Sequence, residues 1–175
     1  MIEYKVGDLL KDSSAMFLLH QVNCMGIMGG GIAYQIRKQN PQVNKDYIYL
    51  CNGQKEIGEL LGNVQILPVD NFNSLKPQFI VNCFGQKKIS SLTKMTSYDA
   101  LDECFNAIKH YCESHYPEGC IIGLPYKIGC GLGGGDWEIV EAIIRKNFAQ
   151  SKSIDVEIWT LPEFVKEMSF CDQNH

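Results

Sequence analysis

The chain has 175 residues, 45% of them hydrophobic, with 16 Lys and Arg against 20 Asp and Glu and a net charge of -4. That length suits one domain with a full core, and the mildly acidic balance argues against broad electrostatic binding to nucleic acid. No run approaches the ~20 apolar residues of a membrane span, so no membrane partner is expected.

The eight cysteines are scattered without a Cys-x-x-Cys pair, and no signal-like apolar stretch follows Met1. Free, buried thiols in a reducing, cytoplasmic setting are the expectation, with no metal site.

Residues 2–6 alternate as a strand and run into Gly7, Asp8, Leu9 and Leu10 as a turn. Asp8 after a glycine suits a turn or helix cap, and this role ranks first on pattern alone. A carboxylate at a strand end can also accept a hydrogen bond from an adenine amino group. Residues 17–22 form a short apolar strand. Gly26 and the run Gly29, Gly30, Gly31 follow, and from Ile32 an amphipathic helix continues to about Gln39, stopped by Asn40 and Pro41. Successive residues without a Cβ let the backbone approach a ligand, and the helix behind them offers free N–H groups and a positive dipole end. A tight connection ordinarily needs one glycine, so the three point to an anion site.

Residues 43–50 read as a second helix carrying Tyr47 and Tyr49, broken at residues 51–53. Residues 64–67 and 79–84 are two strands, neighbours across the turn-rich segment 70–77. Residues 85–97, with Lys87, Lys88 and Lys94, lack apolar periodicity and read as a mobile loop; a solvated loop accounts for these lysines, and a lysine over a phosphate site is the alternative. Thr96 or Ser97 can cap the next helix, whose apolar face is Leu101, Cys104, Phe105, Ile108 and Cys112. His110 and His115 belong to its surface.

Residues 120–125 are a strand leading into a second glycine loop, 126–135. Asp136 can cap the helix behind it, in which Trp137, Val140, Ile143, Ile144 and Phe148 keep helical spacing. Residues 154–159 alternate as a last strand. The tail 169–175 is polar and expected to fray, which leaves a single domain over 1–168.

Gly129, Gly131 and Gly134 match G-x-G-x-x-G, but only one helix and one strand follow, too little for a two-half nicotinamide fold, and the loop is longer than that motif's tight turn. No Gly-Lys-Ser or Gly-Lys-Thr of a Walker loop is present. Two strand-loop-helix units facing one crevice can instead clamp a pyrophosphate with backbone donors, and Asn23 before the first loop adds an amide suited to sugar hydroxyls. The ligand implied is a nucleoside diphosphate sugar.

The sequence Val6-Gly-Asp-Leu9, then residues 22–33, then Ile128-Gly-Cys-Gly-Leu132 and a terminal Val156-Glu-Ile-Trp-Thr-Leu161 resembles a macrodomain over nearly the whole chain. The resemblance implies an α/β fold of three α/β/α layers around a mixed central sheet of about six strands, with ADP-ribose as ligand and no cofactor. It places Asp8 and Leu9 on the adenine, which reverses the preference for a cap. It also places Asn23, Gly29, Gly30 and Gly31 at the distal ribose, Gly129, Cys130, Gly131, Leu132, Gly133 and Gly134 at the pyrophosphate, and Ile32 among the ligand-binding residues.

Within the family, His20, Asn23, Cys24, Gly26, residues 29–35, Pro41 and residues 45–47 are most similar to the ADP-ribose 1″-phosphate phosphatase type. By that likeness His20 is the first catalytic candidate, orienting water or donating a proton, with Asn23 fixing the ribose; a histidine inside an apolar strand can equally be a hydrogen-bonded core residue. A second branch removes ADP-ribose from modified macromolecules and is similar around residues 7–9 and 128–132. Its members use a lysine just after the strand 79–84, where this chain has Gln86 and then Lys87, and some use an aspartate where this chain has Gly133. The expected activity is thus phosphate release from ADP-ribose 1″-phosphate. The rivals are a de-ADP-ribosylating hydrolase acting on protein or nucleic acid and a non-catalytic ADP-ribose reader.

Overall fold

The computed structural model describes residues 1–69, 78–90 and 92–168; the turn-rich segment 70–77 and the tail 169–175 lie outside these described residues. Strands Ile2–Val6 (β1), Phe17–Asn23 (β2), Val64–Val69 (β3), Gln78–Gln86 (β4), Cys120–Pro125 (β5) and Ile154–Thr160 (β6) form one sheet in the order β1-β6-β5-β2-β4-β3. The neighbours pair in parallel except β3, which is antiparallel to β4. The mixed six-stranded sheet and the β3–β4 neighbours are as the sequence predicts.

The helices are Leu9–Asp12 (α1), Gly31–Gln39 (α2), Pro41–Asn52 (α3), Tyr98–His115 (α4), Trp137–Phe148 (α5) and, after a 3-10 turn, Val165–Met168 (α6). None of the described helices is long and apolar enough to cross a membrane. Helix α3 begins at Pro41, two residues before the predicted start, because proline lacks an N–H that the first helical position does not need.

β2 is buried on both faces, which is why it reads as a nearly unbroken apolar run. Phe17 and Leu19 pack with Leu101, Phe105 and Phe148 of α4 and α5, while Leu18 and Val22 pack with Ile36, Val43 and Tyr47 of α2 and α3. Strand alternation therefore builds two cores and three layers from one sheet. Ser97 caps α4, its hydroxyl oxygen accepting from the Ala100 amide at 3.2 Å. His110 and His115 are exposed, and the His115 ring stacks on Tyr111.

The expected mobile loop 85–97 is corrected at its ends. Gln86 belongs to β4 and bridges Thr96, the Ser97 amide donates to the Gly85 carbonyl, and Met95 and Thr96 both donate to Gly133. Backbone pairing to the second glycine loop, invisible in a local pattern, holds this stretch down.

The parallel strands all end at one edge of the sheet. After β2 the chain crosses to β3 and β4 on one side, and β5 later takes β2's other side, so the crevice between β2 and β5 is a topological switch point. Their pairing is confined to Phe17 with Ile122 and Leu18 with Gly123. Beyond that point the two strands part, and each leads into a glycine loop.

Candidate ligand-binding cleft

The first glycine loop is tied down from inside. Asn23 Nδ2 donates to the Ile27 carbonyl at 2.7 Å, and Asn23 Oδ1 accepts from the Met25 amide at 2.9 Å and the Ile27 amide at 3.3 Å. The Tyr47 hydroxyl donates to the Asn23 carbonyl at 2.6 Å and lies 3.0 Å from Asn23 Oδ1. Gln54 Nε2 reaches the Cys24 carbonyl at 2.8 Å. The side chain expected to take sugar hydroxyls is thus mainly an organiser of its own loop, 5% exposed, with one amide hydrogen uncommitted. With the inner groups paired, the amides of Gly29 and Gly30 and those opening α2 at Gly31, Ile32 and Ala33 find no acceptor among the described residues.

The second loop reaches the same state by turning its carbonyls inward. The Gly129 carbonyl accepts from Thr96 Oγ1 at 2.6 Å and from the Gly135 amide at 3.0 Å. The Gly131 carbonyl accepts from the Gly134 amide, and the Gly133 carbonyl from the Met95 and Thr96 amides. The amides of Gly131, Leu132 and Gly133 are left without an acceptor among the described residues. Successive free amides of this kind form an anion-binding concavity. The two cradles touch: a Cβ on Gly30 would lie 2.5 Å from Leu132 Cδ1, whose side chain is 82% exposed.

Beneath the second loop, Gln21 Nε2 donates to Gln86 Oε1 at 2.8 Å and to Thr96 Oγ1 at 3.0 Å. Gln86, Gln21 and Thr96 thus form a neutral clasp. A Cβ at Gly133 would collide with Thr96 Oγ1 and come within 2.8 Å of Gln21 Nε2, so no side chain fits there. Gln86 is one end of this clasp, and Gly133 is held over the other by the Thr96 amide. The Lys87 stem lies along Gly58, 2.8 Å from where a Cβ would be. Lys94 backs onto Gly134 and holds its ammonium 4.1 Å above the Tyr98 ring, which brings a cation to the second loop that chain order hides.

Asp8 performs the capping role read from pattern, Oδ1 accepting from the Leu10 amide at 3.0 Å, while Oδ2 pairs with Lys11 at 2.8 Å. Lys11 is exposed and Asp8 half-buried, so this ion pair is easily exchanged for another donor. Leu9 is buried against Gly123. Cys24 and Cys130 stand at the two loops, but burial pushes both thiols up to about 11, so neither is a thiolate nucleophile at neutral pH.

His20, the first catalytic candidate, lies inside the sheet. Its ring is fully buried in the sheet, and desolvation pushes its pKa down to about 4 against the opposing effect of the hydrogen bond that Nε2 donates to Asn82 Oδ1, so it is neutral at pH 7. The folded value lies below the unfolded 6.5, so the unfolded chain binds more protons in between. The resulting stability is present above about pH 6.5 and lost as pH falls through about 4, roughly 3 kcal/mol in all. Urea midpoints at pH 7 and 4.5 should fall accordingly for the native protein, and much less for His20→Gln.

Gln21, Thr96 and Tyr47 hold the two glycine loops from beneath, and motifs alone pass them over. The available signal was polarity in a central strand: His20, Gln21 and Asn23 interrupt an apolar run and must find partners.

The Macro domain family model matches residues 19–144. The chain is 32% identical over 165 residues to an ADP-ribose 1″-phosphate phosphatase of Saccharomyces cerevisiae, covering 83% of this chain and 92% of that protein. It is also 32% identical over 162 residues to a DNA ADP-ribosyl glycohydrolase of Mycobacterium tuberculosis, covering 91% of this chain. The chain spans only 42% of that relative's length. Among solved structures, the macrodomain of Mycobacterium tuberculosis DarG superposes with a TM-score of 0.70 at 28% identity, over 91% of this chain and 97% of that one.

Proposed function

Since the chain belongs to the macrodomain family, we propose that its cleft binds ADP-ribose and that it releases the terminal phosphate of ADP-ribose 1″-phosphate. The observation that carries this reading is the pair of amide cradles that follow β2 and β5 at the switch point and meet at Gly30 and Leu132. Asp8 and Leu9 take the adenine end. The loop from Gly129 to Gly134, Cys130 and Leu132 included, takes the pyrophosphate, and Asn23 with Gly29, Gly30, Gly31 and Ile32 takes the distal ribose. Water attacks phosphorus, the bond between phosphorus and the ribose oxygen breaks, a proton of the water ends on the departing ribose oxygen as its hydroxyl, and the free amides opening α2 stabilise the charge that develops on the phosphoryl oxygens. The free thiols of the seven described cysteines support a reducing, cytoplasmic setting.

A second reading, removal of ADP-ribose from DNA, is favoured by the similarity to the mycobacterial glycohydrolase. Against it stand Gln86 in the lysine's place and a Gly133 that has no room for an aspartate. The test is phosphate release from ADP-ribose 1″-phosphate beside calorimetric ADP-ribose binding, with a chelator present. The expected result is both activities, undiminished in Lys87→Ala. Binding without release moves the function to a reader or a glycohydrolase, and cleavage of ADP-ribosylated DNA that is lost in Lys87→Ala establishes a lysine mechanism. No binding at all overturns the reading.

A further inference from the structure

A row of polar side chains crosses the face of the sheet covered by α2 and α3, inside an otherwise apolar layer. His20 Nε2 lies 2.5 Å from Asn82 Oδ1, Asn82 Nδ2 donates to Gln65 Oε1 at 2.9 Å, and Gln65 Nε2 donates to the Asp46 carbonyl of α3 at 3.2 Å. Strand register sets the row, since Asn82 pairs directly with His20 on one side and Gln65 on the other. The next residue of α3 is Tyr47, fully buried, whose hydroxyl donates to Asn23. Because Asn82 Nδ2 is committed to Gln65, Asn82 offers His20 only an acceptor. His20 therefore carries its proton on Nε2, and its buried Nδ1 has no partner among the described residues.

Stability alone does not account for this row, because apolar groups of the same shape serve a core as well, whereas an unpaired Nδ1 costs free energy. What the row fixes is position: it ties α3 to β3, β4 and β2 at the turn of helix that delivers the Tyr47 hydroxyl to Asn23. We infer that His20, Asn82, Gln65 and Tyr47 are positioning residues that hold Asn23, and through it the first glycine loop, in ligand-binding shape. His20 acts from inside the sheet and does not touch substrate. The inference rests on the ADP-ribose reading for its assay.

The experiment measures kcat, KM and ADP-ribose Kd for His20→Leu, His20→Gln, Tyr47→Phe and the His20→Leu/Tyr47→Phe double variant. His20→Leu and Tyr47→Phe should each lower phosphate release about 10-fold, and the double variant also about 10-fold instead of about 100-fold, because the residues act as a unit. His20→Gln, which still presents an amide donor to Asn82, should stay within about 3-fold of the native protein. Equal impairment of His20→Gln and His20→Leu would overturn the inference in favour of proton transfer by the imidazole. An unimpaired Tyr47→Phe, or a fully multiplicative double variant, would also overturn it. If His20→Leu fails to fold, Tyr47→Phe, which removes only one buried oxygen, and His20→Gln decide. Should the native protein bind ADP-ribose without releasing phosphate, the phosphatase reading falls and the same pattern is read in Kd. Failure to bind ADP-ribose removes both.

Discussion

Gly133→Asp is expected to lower ADP-ribose affinity about 100-fold or more. A Cβ at this position meets Thr96 Oγ1, the Gly129 carbonyl at 2.6 Å and Gln21 Nε2 at 2.8 Å, so the side chain must push the second loop off the clasp. Once the Gly129 and Gly133 carbonyls lose Thr96 as donor, each keeps a single partner, the Gly135 and Met95 amides respectively, and the amides of Gly131 and Gly133 lose their shared direction. Two hydrogen bonds to a charged phosphate at about 1.5–3 kcal/mol each account for the loss in affinity. Overpacking adds a stability cost of about 1–3 kcal/mol. The substitution places an aspartate where some members of the de-ADP-ribosylating branch resembled in sequence carry one, yet it should weaken binding without creating a hydrolase. Calorimetry with a parallel urea titration checks this, and native-like affinity in the folded variant would show that the clasp does not shape the cradle.

Asn23→Ala should reduce phosphate release by about 10²- to 10³-fold while weakening ADP-ribose binding far less. The substitution removes the 2.7 Å bond to Ile27 and the acceptor for the Met25 and Ile27 amides, leaving Tyr47 only the Asn23 carbonyl. The loop then no longer holds the α2 amides on the phosphoryl group, whereas the pyrophosphate remains with the second loop. Steady-state kinetics beside calorimetry separates the two effects. Unchanged turnover would remove Asn23 from the reaction, and equal loss of both would assign it to binding alone.

The fold was largely legible because its elements carry local signals. The apolar run of β2, the 3.6 spacing of α4 and α5 and the caps Asp8, Ser97 and Asp136 each appear where residue chemistry puts them. Both cradles were legible as glycine runs before helices. What the sequence hides is the support beneath them. Gln21 meets Thr96 across 75 positions and Gln86 across 65, and His20 meets Asn82 across 62, contacts set by strand order and register and not by any local spacing. For the same reason residues 85–97 read as a mobile loop, although its end is bonded to Gly133, and pattern alone leaves His20 open between a reacting group and a hydrogen-bonded core residue, where β2 turns its ring into a closed layer.

The central claim is that two sets of backbone amides, one per glycine loop, hold a single ADP-ribose. Titration of isotopically labelled protein with ADP-ribose, followed amide by amide, tests it most directly. The largest shifts are expected together at Gly29, Gly30, Gly31, Ile32 and Ala33 and at Gly131, Leu132 and Gly133, saturating with one common dissociation constant. Shifts confined to one loop, or centred away from the β2–β5 opening, would contradict it.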